Sequence, residues 1–432
     1  MKILPRVVPA RRWVILLLAL HGAVLKAQYL SAPEFQINEV TLGDQYYPSV
    51  AHDSKGNFVV VWVDRTIPNH NIIGRRFDRS GTPLAQEFQI NTDTQFRHTR
   101  SHVSQDPKGN FVVIWNSRDQ DGSGLGIFGR RFNSAGAPQS AEFQMNSYTS
   151  GYQGHAGISH DPNGNFVVAW ASRAQKGGSY YNLGIFAQRF DSFGQRVGPE
   201  FQVNSFTFFD QYGPELVHDA FGGFVVVWSS QGQDPYFLDR AVVGRRFEPN
   251  GIPIGGEFQV SSATWHYERR PHIAMGPEGD FVVTWVTPGQ GFAVRNILAR
   301  RFDSSATPMG LDFKVDTSTS FNAWVPKVSF ASTGAFVVAW TAYIPGSRFE
   351  VLARRLDRFG TPLGADFVVN SITTFEQTYP VLIHDTSGNF LILWESTHID
   401  GWDILGRRFI LNAVAAGPAS GGQSRLRIHQ RE

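Results

Sequence analysis

The stretch GNFVVVW at 56–62 decides the fold. It returns as GNFVVIW (109–115), GNFVVAW (164–170), GGFVVVW (222–228), GDFVVTW (279–285), GAFVVAW (334–340) and GNFLILW (388–394). Seven copies, 53–58 residues apart from Trp to Trp, give the chain its own internal alignment. Val, Ile and Phe favour strands, and a run apolar at successive positions reads as a strand buried on both faces. The recurring Trp62, Trp115, Trp170, Trp228, Trp285, Trp340 and Trp394 are therefore read as scaffold core.

Working outward, each copy lies within a unit of four β-like segments. PSVAHD at 48–53 precedes it across a tight turn, IIGRRFD at 72–78 follows a loop, and EFQIN at 87–91 follows a Gly-Thr-Pro turn. Four antiparallel strands at this period predict a blade, and the whole predicts an all-β, seven-bladed β-propeller over residues 28–410. EFQ-type segments outrun complete units at the start of the chain. The EFQIN at 34–38 is therefore expected to be the outer strand of the last blade, closing the ring.

Loop lengths separate the two faces. Only the segment between the Trp and the GRR-type strand varies, with 11, 13, 16, 15, 13, 12 and 11 residues in chain order. Variation confined to one connection points to one binding face. On it the aromatic candidates for ligand binding are Tyr180, Tyr181, Tyr236 and Phe237, with Phe208, Tyr212, Trp265 and Tyr267 from neighbouring loops. Such rings stack on sugars or anchor a protein partner, although they also pack loop against loop.

Residues 1–27 read as a signal peptide: Lys2, Arg6, Arg11 and Arg12 precede an apolar run from Trp13 to Leu25, too short for a membrane span. That segment, with Lys26, carries five of the basic residues, so its removal takes the formal +2 to about −3. The balance gives no electrostatic case for nucleic acid. The 432 residues include no Cys, which excludes disulfides and thiol chemistry. Residues 411–432 turn to Ala, Gly, Pro and Ser and are expected to be a disordered tail. The chain is expected to be an exported monomer, whether periplasmic, cell-surface or extracellular, with no membrane span after cleavage.

Arg76, Arg131, Arg189, Arg246, Arg301, Arg355 and Arg408 occupy one position in every unit, and an acidic residue opens each EFQ-type strand. An Arg–carboxylate pair between the third and outer strands is the expected role. The recurring His-Asp pairs, such as His52-Asp53, are read as turn residues, the Asp accepting amides. Asp119 and Asp121 sit in Asp-Gln-Asp-Gly, a weak calcium pattern without the later bidentate Glu. No other cofactor fingerprint, nucleophile elbow or zinc triad appears.

The full unit resembles the repeats of bacterial secreted and cell-surface propeller proteins, best seen at 117–122 and 128–132, and the resemblance covers roughly 34–410. It implies a fold and an exported location, and no established activity. The leading expectation is a non-enzymatic protein that binds glycan or protein through the variable-loop face. The alternative is an extracellular polysaccharide hydrolase or lyase with carboxylates in the central funnel. Carboxylates from different blades at the funnel mouth would favour that enzyme, and only aromatics and amides there would favour binding.

Overall fold

The computed structural model describes residues 29–411 except 174, 176–181, 234–239, 263–267, 289–293, 318–321, 345, 347 and 399–400. The signal segment and the tail beyond 411 lie outside the described residues. The described chain is all β, and among these residues no helix is long and apolar enough to cross a membrane.

Each unit folds as a four-stranded antiparallel sheet. In the first, Gly43–His52, Phe58–Asp64, Asn71–Phe77 and Phe88–Gln89 pair in sequence order. The same set recurs along the chain. The first and last sets are joined by a two-residue parallel pairing, Gly401 with Gly43 and Trp402 with Asp44. The last set takes its outer strand from the start of the chain: Phe35 pairs with Gly406 and Gln36 with Leu405. Tyr29–Ser31 extends the same edge against Phe409–Leu411. The inner strands touch in cyclic order, and Gln377–His384 touches Gly43–His52 to complete the circuit. The architecture is propeller-type.

The repeated apolar run explains why the sheets stack. Side chains alternate across a strand, so Val59, Val61 and Val63 face the next sheet, against Phe111, Val113 and Trp115. Val60 and Trp62 face the preceding one, against Leu391 and Leu393. Both faces are fully buried, as the sequence pattern requires. Phe58 stacks on Phe77 at 4.9 Å and 7°, a pair repeated in later sheets. Trp62 Nε1 donates to Gln45 Oε1 at 2.8 Å, satisfying its only polar atom.

The sheets are also bolted together by polar groups, and here the sequence expectation is corrected. Arg76 and its equivalents do not pair with the acid that opens the outer strand. Arg76 donates to Ala135 O (2.6 Å), Arg131 to Phe193 O (2.7 Å), Arg189 to Pro249 O (3.0 Å), Arg246 to Ser305 O (3.2 Å) and Arg301 to Phe359 O (3.4 Å), each a turn carbonyl of the next sheet. Arg408 lies 3.6 Å from Asp385 instead. The preceding arginine points the other way, because adjacent strand residues project to opposite faces. Arg300 and Arg354 lie 3.7 and 3.4 Å from Asp312 and Asp366, while reaching Val260 O and Val315 O of the sheet before.

The opening acids act chiefly on backbone. Glu87 accepts Glu39 N at 2.8 Å, Glu142 accepts Thr92 N at 2.7 Å, and Asp366 accepts Thr317 N at 2.8 Å, each across a sheet junction. Asp53 Oδ1 accepts the amides of Lys55 and Asn57 at 2.8 and 2.9 Å, the turn role expected of the His-Asp pairs.

Candidate functional site: the mouth of the ring

All seven inner strands break register at the same place, between residues such as Tyr46 and Ser49 or Thr99 and His102. The bulged residue has positive φ every time: Tyr47 (55°), Arg100 (53°), His155 (53°), Gly213 (64°), Arg270 (56°), Val325 (50°) and Tyr379 (50°). Left-handed backbone suits Gly and strains other residues, most of all β-branched Val. Such strain, paired with a bulge that re-aims a side chain, gathers at functional sites.

The bulge lies toward the start of each inner strand, which pairs with the end of the second strand. This is the end that carries the variable loops. There four of the bulged residues meet. Tyr47 and Tyr379 pack edge to face at 5.7 Å, the Arg100 guanidinium lies 5.6 Å from the Tyr47 ring, and Arg100 Nη1 donates to His155 Nδ1 at 3.2 Å. Burial, then Arg100, His102 and Arg270, push His155 down to about 4, so its imidazole is neutral near pH 7. Tyr46 joins Tyr47 (6.1 Å) and Trp402 (5.5 Å), and Tyr152 lies 6.3 Å from His155.

Buried Glu395 holds this arrangement from behind, accepting the Tyr47 amide at 2.6 Å. Burial pushes its carboxyl up to about 8, against the lowering effects of the Tyr47 amide and Arg65. Thr341 Oγ1 takes the Tyr379 amide in the same way at 3.1 Å.

Two residues past the bulge, a second tier converges. Lys327 Nζ pairs with Glu215 Oε1 at 3.0 Å. Burial alone would raise Glu215, but Lys327, His272 and His102 override it and hold the carboxylate down to about 2. Burial lowers His102 to about 4 and His272 to about 3, and His272 Nδ1 accepts the Val328 amide at 3.2 Å. Glu215 and Glu395 thus each have a structural partner, a lysine and a backbone amide.

Most of the aromatic candidates named from the sequence cannot be placed: Tyr180, Tyr181, Tyr236, Phe237, Trp265 and Tyr267 lie outside the described residues. Tyr212 is half-buried beneath the Arg240 guanidinium, 4.3 Å from its ring. Phe208 is exposed and packs against Phe206 at 5.9 Å. Asp119 and Asp121 are engaged within their own sheet: Asp119 Oδ1 accepts Gly124 N at 2.9 Å, while Asp121 accepts Ser123 N at 3.2 Å and Gln144 Nε2 at 3.0 Å. Among the described residues no group of three or more His, Asp or Glu could hold a metal ion.

The mouth residues escaped the sequence reading because their column does not repeat. At the position before the inner-strand Pro, which is Ser101 in the second unit and Ala156 in the third, the units carry Tyr, Arg, His, Gly, Arg, Val and Tyr. The positions beside it vary as well, Tyr46 and Ser49 and their equivalents among them, so no single column of the inner strand marked the bulge.

No family model matches the chain, and no curated protein matches it. Among solved structures, one of unknown function from Dyadobacter fermentans superposes with a TM-score of 0.55 at 11% identity, covering 89% of this chain and 99% of its own. The polysaccharide lyase Uly1 does so with a TM-score of 0.55 at 9% identity, covering 88% and 99%. At such identities the likeness is one of fold: a propeller of repeated four-stranded sheets.

Proposed function

We propose that this chain is an exported, seven-bladed propeller that engages extracellular polysaccharide at the mouth of its ring. The two sets of strands sharing the Gly401–Gly43 pairing count as the last and first blades. The basic, then apolar, N-terminal segment supports export. The observation that carries the reading is the half-buried cluster of Tyr46, Tyr47, Tyr379 and Trp402 on the variable-loop side, with Tyr47 and Tyr379 on strained backbone and Arg100 linking Tyr47 to His155. Flat aromatic faces with polar groups alongside suit pyranose rings. That a lyase shares this fold adds support by analogy only.

Cleavage is the second reading, favoured by one observation. A neutral imidazole, His155, sits bonded to a guanidinium, Arg100, with the Tyr152 phenol nearby. In a lyase step a base takes the proton from the carbon beside a carboxylate, while the glycosidic oxygen leaves with its bonding pair and takes up a proton. His155 serves as that base once Arg100 turns from its Nδ1 to the substrate carboxylate, and the Tyr152 phenol can protonate the leaving oxygen. Two-carboxylate hydrolysis is disfavoured, because Glu215 and Glu395 are both held by structural partners.

The test is a binding screen of the mature protein against glycan arrays and envelope polysaccharides, with a Tyr47→Ala/Tyr379→Ala variant beside it. Binding lost in the variant supports the mouth as the site. Binding unchanged in the variant overturns it, and a protein ligand with no glycan binding would replace the reading with a scaffold role.

A further inference from the structure

Arginines at the mouth are treated differently from those at the sheet junctions. At the junctions they also lie over rings, Arg130 5.6 Å from Phe132 and Arg300 5.7 Å from Phe302, but their N–H groups are taken by carbonyls of the sheet before. At the mouth they are laid over rings: Arg65 lies 4.2 Å from the Tyr46 centroid, Arg100 5.6 Å from Tyr47, Arg173 5.8 Å from Tyr152 and Arg295 5.2 Å from Trp324. Among the described residues, none of these four, nor Arg270, has a carboxylate within 4 Å. Arg100, Arg173 and Arg270 are exposed.

The crowding is real in energetic terms. Burial, then Arg269 and Arg270, lower Arg295, so like charges are gathered around it. Of the acids nearby, Asp44 lies against Tyr46, Asp64 bonds Gln45 and Thr66, Glu395 bonds the Tyr47 amide and Glu215 bonds Lys327, and among the described residues none has its carboxylate within 4 Å of these arginines. A mature chain near −3 overall therefore carries a cationic mouth. A guanidinium fixed across a ring keeps its N–H edge for a planar or tetrahedral oxyanion and loses little freedom on binding it.

We propose that the polysaccharide bound at the mouth is a polyanion, whose carboxylate or sulfate groups are taken by Arg100, Arg270 and their ring-stacked neighbours. The proposal rests on the polysaccharide reading above and narrows its ligand. These arginines come from different sheets around the ring, so an extended chain crossing the mouth can engage them in succession. Polysaccharide is favoured over nucleic acid by the export signal and the net negative charge of the remainder.

The experiment titrates the full mature protein with polygalacturonate, dextran sulfate, neutral dextran and single-stranded DNA at several salt concentrations. The expected result is binding to polygalacturonate, dextran sulfate or both, weakening steeply with salt and absent for dextran. The two anionic arms separate carboxylate from sulfate recognition. Arg100→Gln/Arg270→Gln should lose about tenfold or more, at roughly tenfold per 1.4 kcal/mol for a lost charged hydrogen bond. Arg358→Gln, which removes an exposed pair with Glu278, should change nothing. Circular dichroism confirms that the variants fold. Binding to dextran alone would overturn this inference and leave the polysaccharide reading standing. Tighter binding to DNA than to either polyanion, or an unaffected double variant, would overturn it too. Failure to bind any polysaccharide would overturn both.

Discussion

Arg75 Nη1 donates to the Ile37 carbonyl at 2.8 Å, joining the first sheet to the strand that completes the last. The same bond recurs at the other junctions, from Arg130 to Ile90 O (3.0 Å), Arg245 to Val203 O (2.8 Å) and Arg407 to Val369 O (2.7 Å). Ring closure thus uses the same chemistry as every interior junction. Where Gln188 stands at this position, Arg196 from the neighbouring hairpin reaches Gln144 O at 2.8 Å and Asn146 O at 3.1 Å.

Arg75→Ala should destabilise by about 1–3 kcal/mol, the range for a hydrogen bond to a charged donor that leaves a part-buried acceptor unpaired. Arg245→Ala, at an interior junction, should cost a similar amount. Urea unfolding followed by tryptophan fluorescence measures both. An effect at Arg245 with none at Arg75 would mean that the ends of the chain do not close the ring in solution.

Trp228→Ala should cost about 3–5 kcal/mol, because Trp228 is fully buried between sheets and its Nε1 bonds Gln211 at 3.0 Å. A loss under 1 kcal/mol by denaturant titration would contradict a core packed on both faces of the FVVVW strand.

Glu268 occupies, beside Trp285, the position held by Gln45, Gln211 and Gln377 in other sheets. Burial pushes its carboxyl up to about 8, from 4.5 in an unfolded chain. The folded state therefore binds this proton more tightly, and stability falls as pH rises from about 4.5 to 8. Glu268→Gln should remove that slope and stabilise at pH 8 by on the order of 2–4 kcal/mol. Thermal unfolding of both proteins across pH 5–8 checks it, and parallel curves would refute the assignment.

Glu395→Gln should keep Tyr47 in place, since an amide oxygen still accepts its N–H. Glu395→Leu leaves that amide buried without a partner. The expected outcome is wild-type polysaccharide binding in the first variant and weaker binding in the second. Equal binding by both would show that Tyr47 needs no support at its bulge.

The fold was legible because FVVVW repeats. Its uninterrupted apolar run gave burial on both faces, and the surplus EFQIN gave the closing strand later seen at Phe35 and Gln36. The arginine pairing was off by one residue, because strand alternation decides which of two adjacent arginines faces the earlier sheet, and composition is blind to that. The mouth was harder still. Glu215 and Lys327 are 112 residues apart, and no local spacing announces their contact. What repeats in such a chain is scaffold, and the proposed site lies among positions that do not repeat.

The most direct test of the account is calorimetric titration of the mature protein and its Tyr47→Ala/Tyr379→Ala variant with the polysaccharide that binds best in the screen. The account predicts at least about a tenfold loss of affinity, the two rings together contributing well over 1 kcal/mol, with an unchanged melting temperature. Equal affinity in a folded variant would contradict the placement of the site at the mouth.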